Sequence, residues 1–149
     1  MLRVLLPLLL FVAGETAAFA CSCRPAPIDP AEKRTLARDM ARGAVALVEV
    51  RLVAPVDPRR RRGERLRVLR ILAGSAPAVF EVEWRGNPSS AACQETFDGG
   101  FRKRVLLYRG SSGGGANPPR FRVSSTCTNL LLHDDGVRAA TIEAMRRRR

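Results

Sequence analysis

Cysteines are the residues of this chain whose type and spacing could do chemistry, and there are four: Cys21, Cys23, Cys93 and Cys127. An even number in a small exported chain is typical of disulfides, and an oxidising compartment disfavours a four-thiol metal site. Only Ser22 separates the first two cysteines, so a bridge between them would be strained. Each should therefore pair with one of the two distant cysteines. Two pairings remain open on this reasoning, and each bridge would close a loop of roughly 70 to 105 residues.

The first twenty residues, Met1 to Ala20, have the pattern of a cleavable signal peptide. Arg3 is the positive start, and the apolar run that follows is about ten residues long, whereas a bilayer span needs about 20. Small residues occupy the two positions that a signal peptidase reads. We therefore expect a secreted or periplasmic protein whose mature chain starts at Cys21. The alternatives are an uncleaved anchor and a lipid on Cys21, and bulky Phe19 disfavours the lipid.

The mature chain, residues 21–149, has the size of one domain with one core. The formal net charge is +12, and nearly all the basic residues are arginine. A field of this sign attracts anionic polymers, acidic proteins or anionic membrane surfaces. Nucleic acid is disfavoured because export removes most of it and aromatic residues are only 5% of the chain. The candidate basic patch is the run Arg59, Arg60, Arg61 and Arg62, with Arg146 to Arg149 as a second cluster.

Alternating apolar and polar residues predict five short strands, separated by turn-rich segments. These strands cover residues 44–53, 66–72, 79–84, 105–108 and 121–127. In the third strand we expect Glu81 and Glu83 to face solvent. Asp29 followed by proline predicts a helix over residues 30–42, and Asp134 or Asp135 can cap a last helix. The fold class that follows is mainly β, a small closed five-stranded barrel flanked by helices.

The order of these features resembles the netrin-like domain, and within it the N-terminal domain of the tissue inhibitors of metalloproteinases. The mature chain begins with Cys-x-Cys and a nearby proline, the third cysteine follows strand three, and the fourth ends strand five. The resemblance implies an OB-type barrel with two disulfides, Cys21–Cys93 and Cys23–Cys127. The stretches similar to bacterial members are Ala91-Ala92-Cys93, the strand ending at Tyr108, and Ser124-Ser125-Thr126-Cys127. A third disulfide and a C-terminal domain, which vertebrate members have, find no counterpart in this sequence.

The resemblance also implies a function as a metalloendopeptidase inhibitor. The α-amine and carbonyl oxygen of Cys21 would chelate the catalytic zinc of a protease, which keeps an open coordination position. An α-amine is partly neutral at neutral pH and can donate its lone pair. Ser22 would enter the specificity pocket, and Cys23, Arg24 and Pro25 would extend the contact. These five residues are the predicted inhibitory tip; the chain would hold no metal of its own.

The alternative function is a secreted or envelope-bound basic module that binds acidic polymers or an acidic protein. Salt discriminates between the two, because polyanion binding weakens steeply as salt rises whereas zinc chelation does not. We expect no enzymatic activity and no cofactor. His133 is the only histidine, it precedes a predicted helix start, and the chain has neither a nucleophile motif nor a phosphate loop.

Overall fold

The computed structural model describes residues 23–54, 64–83, 97, 100–111 and 118–148. In this part of the chain five strands form a closed barrel and three helices flank it, so the fold is mainly β. The strands are β1 (Ala44–Ala54), β2 (Arg65–Gly74), β3 (Val79–Val82), β4 (Lys103–Arg109) and β5 (Arg120–Val123). The helices are α1 (Pro30–Ala41), α2 (Thr126–Leu131) and α3 (Asp135–Arg146). No helix in these ranges is long and apolar enough to cross a membrane.

The barrel closes in the order β1-β2-β3-β5-β4, with β4 pairing back onto β1. The β3–β5 pairing is parallel and the other four are antiparallel. The longest strand, β1, pairs with both β2 and β4, and its register with β2 shifts at three places. Such irregularities bend a strand and increase its twist, which allows so few strands to close into a barrel.

The barrel interior holds one apolar core. Phe80 is fully buried, and its ring meets that of Phe121 edge to face, with the centroids 5.6 Å apart. This geometry is favourable for aromatic pairs because the positive edge of one ring meets the negative face of the other. The buried side chains of this core are Ala46, Val48, Val50, Leu66, Phe80, Val82, Phe97, Val105 and Leu107.

A second core lies outside the barrel wall, where the helices cover β1 and β4. Leu47 and Leu106 point away from the barrel interior and pack with Ala41, Leu132 and Met145 from the helical side. Both faces of these two strands are therefore buried at their centres. This double burial explains why residues 44–48 and 105–107 are continuous apolar runs rather than clean alternations.

The helix starts confirm the prediction from capping residues. Asp29 accepts hydrogen bonds from the backbone N–H groups of Ala31 and Glu32, at 3.2 and 3.3 Å. Asp134, rather than Asp135, caps α3 by accepting the N–H of Val137 at 2.8 Å. A short polar side chain at this position satisfies N–H groups that have no partner within the helix.

The prediction that the fifth strand runs to Cys127 is wrong. β5 ends at Val123, and Cys127 lies in the first turn of α2. Ser125 causes the change, because its hydroxyl oxygen accepts the N–H of Thr128 at 3.3 Å and caps a helix. The third strand is also shorter than predicted: β3 ends at Val82, and Trp84 lies outside the described residues.

The prediction that Glu81 faces solvent is also wrong, since only 7% of Glu81 is exposed. Alternation along β3 does turn this side chain away from the interior, but arginines from both neighbouring strands cover it. Its carboxylate accepts from Arg65 at 3.3 Å and from Arg120 at 3.4 Å. Glu83 is half-buried, and its carboxylate accepts the N–H of Ser111 at 2.9 Å. The alternation along the strand predicts the face correctly, but it does not show that arginines of the two neighbouring strands, β2 and β5, cover Glu81 on that face.

Candidate functional site

A disulfide ties the N-terminal end of the described chain to α2, the helix that follows β5. Cys23 and Cys127 are bonded, with their Cα atoms 5.0 Å apart, across 104 positions of sequence. This is one of the two bridges that the family resemblance implies. The other pair, Cys21 and Cys93, lies outside the described residues, and so does Ser22 of the predicted tip.

A largely exposed segment without regular secondary structure follows the disulfide. Residues 23–27 belong to no helix or strand, and both Arg24 and Pro25 are exposed. Ile28, at the end of this segment, is 95% exposed. The segment then enters α1, whose first residue is Pro30. Two prolines within it limit the backbone freedom of a short stretch that is held at one end by the disulfide and at the other by a helix.

A buried polar network positions the helix that carries Cys127. Ser124 donates its N–H to the carbonyl of Leu106 at 3.0 Å and accepts the N–H of Leu106 on its hydroxyl at 2.9 Å. The same hydroxyl donates to Oδ1 of Asn129, whose Nδ2 donates to the Ser124 carbonyl at 3.3 Å. Ser124 and Asn129 are each 5% exposed. The network links β4 to both ends of the turn around Cys127, and so fixes the anchor of the N-terminal segment.

Sequence reasoning singled out Ser124 only as part of a motif and missed Asn129 entirely. A polar residue five positions after a serine is too common to signal a buried pair. Ser124 also bonds to the backbone of Leu106, and only the folded chain brings these two residues into contact.

Side chains from outside α1 hold it against the rest of the molecule, and one of them, Arg148, donates to the Ala41 carbonyl. Lys33 donates from Nζ to both carboxylate oxygens of Asp134, at 2.9 Å each. The N–H of Val137, and after it Lys33, hold the pKa of Asp134 below its usual value. Tyr108 donates its O–H to the carbonyl of Met40 at 3.0 Å, and burial raises the pKa of this phenol. Since α1 directly follows the exposed segment, these contacts also orient that segment.

A groove of about 530 Å³ lies between α1 and α3 and is rich in arginine. We call it the arginine groove. Its lining residues are Arg34, Arg38, Arg42, Ala140, Glu143, Ala144, Arg147 and Arg148.

The arginine groove only partly matches the predicted basic surface. The run Arg59 to Arg62 lies outside the described residues, and so does Arg149. Arg146 to Arg148 are exposed at the end of α3. Arg34, Arg38 and Arg42 were missed, although their spacing of four residues, in and directly after a predicted helix, is a signal that could have found them.

Among the residues described, no three histidine, cysteine, aspartate or glutamate side chains come together as a metal site. His133 is exposed in the turn between α2 and α3, the place that the sequence predicts for it. The described residues therefore present two distinctive surfaces, the exposed segment anchored at Cys23 and the arginine groove.

Comparison with family models and with curated proteins finds no match for this chain. A proposal about function therefore has to stand on the residues of this chain and their geometry.

Proposed function

We propose that this protein is an exported netrin-like domain that inhibits a zinc metalloendopeptidase with its mature N-terminus. The observation that carries the proposal is the Cys23–Cys127 disulfide, which anchors a largely exposed segment without regular secondary structure to α2. The closed barrel supports it as well, because its strand order β1-β2-β3-β5-β4 is that of OB-type barrels. Signal peptidase would cut after Ala20 and release the protein to the periplasm or the medium.

In this mechanism the α-amine and carbonyl oxygen of Cys21 form a five-membered chelate with the protease zinc. They take the position that the catalytic site keeps open for water or substrate. The hydroxymethyl side chain of Ser22 enters the adjacent specificity pocket. Cys23, Arg24 and Pro25 continue along the substrate cleft, where the exposure of Arg24 and Pro25 leaves them free to make contact.

The disulfide gives the tip its physical advantage. Cys21 is two residues from the anchored Cys23, so its amine can lie at most about 7 Å further along the chain. A ligand held in a narrow volume loses little conformational entropy on binding, and this preorganisation raises affinity. The proposed second bridge, Cys21–Cys93, would restrict the amine further.

The test compares three forms of the purified mature protein against a panel of zinc metalloendopeptidases, with a fluorogenic peptide as substrate. Mass spectrometry first verifies that the chain starts at Cys21 with a free amine. One variant carries an extra alanine before Cys21, and the matched control carries the extra alanine after Arg149. We expect the N-terminal addition to raise the inhibition constant at least about 100-fold, or roughly 2.8 kcal/mol, and the C-terminal addition to leave it unchanged.

Two results would contradict the proposal. One is equal inhibition by all three forms, which would place the inhibitory contact away from the N-terminus. The other is no inhibition of any protease by a mature chain whose Cys21 amine is shown to be free.

A further inference from the structure

Arg34 and Arg38 of α1, with the C-cap residue Arg42, form a row along the arginine groove. Arg34 and Arg38 are four residues apart, so they share one side of the helix and stand about 6 Å apart along its axis. Arg42 follows four residues later, at the C-cap of α1. Arg147 and Arg148, at the end of α3, border the same groove. The row therefore spans about 12 Å and has further positive charge across from it.

The carboxylates near the groove leave part of this charge unpaired. Arg34 has no ion-pair partner among the described residues, and Arg38 donates only to the Arg34 carbonyl at 3.4 Å and to a threonine hydroxyl at 3.3 Å. Arg42 pairs with Asp39, and Arg147 with Glu143, in exposed contacts. Exposed pairs of this kind contribute little and exchange readily with an incoming anion.

We propose that the arginine groove is a binding site for a linear acidic polysaccharide. The guanidinium groups would pair with carboxylate or sulfate groups that recur along the polymer, and arginine suits this role because its planar fork donates two parallel hydrogen bonds. The axial spacing of the row is close to the length of one sugar unit. The volume of about 530 Å³ falls within the range of small-molecule sites and accommodates a short oligosaccharide.

The lining of the groove favours a polysaccharide over single-stranded nucleic acid. Binding of single strands relies on aromatic side chains that stack on the bases. The groove is lined by arginine, alanine and one glutamate. Ala140 and Ala144 present small apolar surfaces on the α3 side, against which a sugar ring can pack without stacking. The groove shares no residue with the predicted inhibitory tip, so the two proposals stand or fall separately.

The experiment measures binding of size-matched oligosaccharides to the purified protein by calorimetry. One probe is a heparin octasaccharide, which carries sulfates and carboxylates, and the other is an oligogalacturonate of equal length, which carries carboxylates alone. A single-stranded oligonucleotide of similar charge and phosphatidylglycerol vesicles are the competing ligands. The test variant is Arg34→Gln/Arg38→Gln/Arg42→Gln.

The matched control is Arg51→Gln/Arg67→Gln/Arg70→Gln, which removes the same charge from exposed positions on β1 and β2. Circular dichroism verifies that both variants are folded. We expect the groove variant to bind oligosaccharide at least about tenfold more weakly, and the control less than about threefold more weakly. The slope of log affinity against log salt should flatten by roughly two for the groove variant, because fewer counterions are released.

Binding of either oligosaccharide with this pattern supports the proposal, and the tighter probe identifies sulfate or carboxylate as the preferred anion. Equal losses in the two variants would overturn it, since a general positive field would then explain the binding. Tighter groove-dependent binding of the oligonucleotide or the vesicles would overturn the ligand class. No binding at physiological ionic strength would overturn the site itself.

Discussion

Removing the Cys23–Cys127 disulfide should cost the protein a large share of its stability. The perturbation is the double variant Cys23→Ser/Cys127→Ser, which leaves neither thiol free to pair elsewhere. Both cysteines are only half-buried, so the serines introduce little buried polar surface. The main effect is therefore on the unfolded chain, which gains conformational freedom when the cross-link is lost.

The magnitude follows from the length of the loop that the bridge closes. Its ends are 104 positions apart, which gives about 4.7 kcal/mol on the chain-entropy model. If Cys21 and Cys93 are also bonded, the shortest closed path through that second bridge is about 36 residues, and the contribution falls to about 3.8 kcal/mol. Either value is a large part of the 5–15 kcal/mol that typically separates a folded domain from its unfolded state.

Urea unfolding of the parent protein and the double variant, followed by circular dichroism, measures this difference. The slope of the free energy of unfolding against urea should steepen in the variant, because its unfolded chain expands further. A free-energy loss below about 1 kcal/mol would refute the reasoning. It would mean that the bridge cross-links parts of the chain that stay together in the unfolded state or that it strains the folded one.

Three further predictions concern the cores and the caps. Phe80→Ala should lower the free energy of unfolding by about 3–5 kcal/mol, because it opens a cavity in the barrel interior, and a urea midpoint close to that of the parent would contradict this. Ser124→Ala should cost about 1–3 kcal/mol by leaving a buried N–H without an acceptor; the exposed Ser75→Ala is its control, and equal effects would dismiss the network. The pKa of Asp134 is lowered in the folded chain. The stability that its ionised carboxylate contributes is therefore present above the unfolded pKa and is lost as pH falls below about 4. Asp134→Ala should flatten the acid side of the stability profile, and Asp134→Asn should retain the cap while losing the ion pair with Lys33; a parallel profile for all three proteins would show that this carboxylate is not responsible.

Local signals predicted α1 and the start of α3 because capping acts within a few residues. Asp29 and Asp134 each satisfy N–H groups two or three positions later, so the information lies in the adjacent sequence. The same rule, applied to Ser125, would have ended the fifth strand in the right place. The apolar alternation of the preceding residues was stronger and carried the predicted strand past it to Cys127.

The candidate site, too, can be predicted only in part from the sequence. The sequence itself indicates the Cys-x-Cys start, the proline-containing segment and the resemblance that pairs Cys23 with Cys127. It does not indicate the arginine groove, because that surface needs α1 and α3 side by side. Those helices are held together by a contact between Lys33 and Asp134, about 100 residues apart in the chain.

What the sequence by itself determined is the set of elements: the periodicity of the strands, the capped ends of two helices and the even set of cysteines. These properties depend on interactions between near neighbours and on residue type. Tertiary structure alone decided which strands pair, that β3 and β5 run parallel, and that arginines from β2 and β5 bury Glu81. The physical reason is that burial and charge pairing depend on contacts between residues that are distant in sequence. Those contacts form only when the strands pair and the barrel closes.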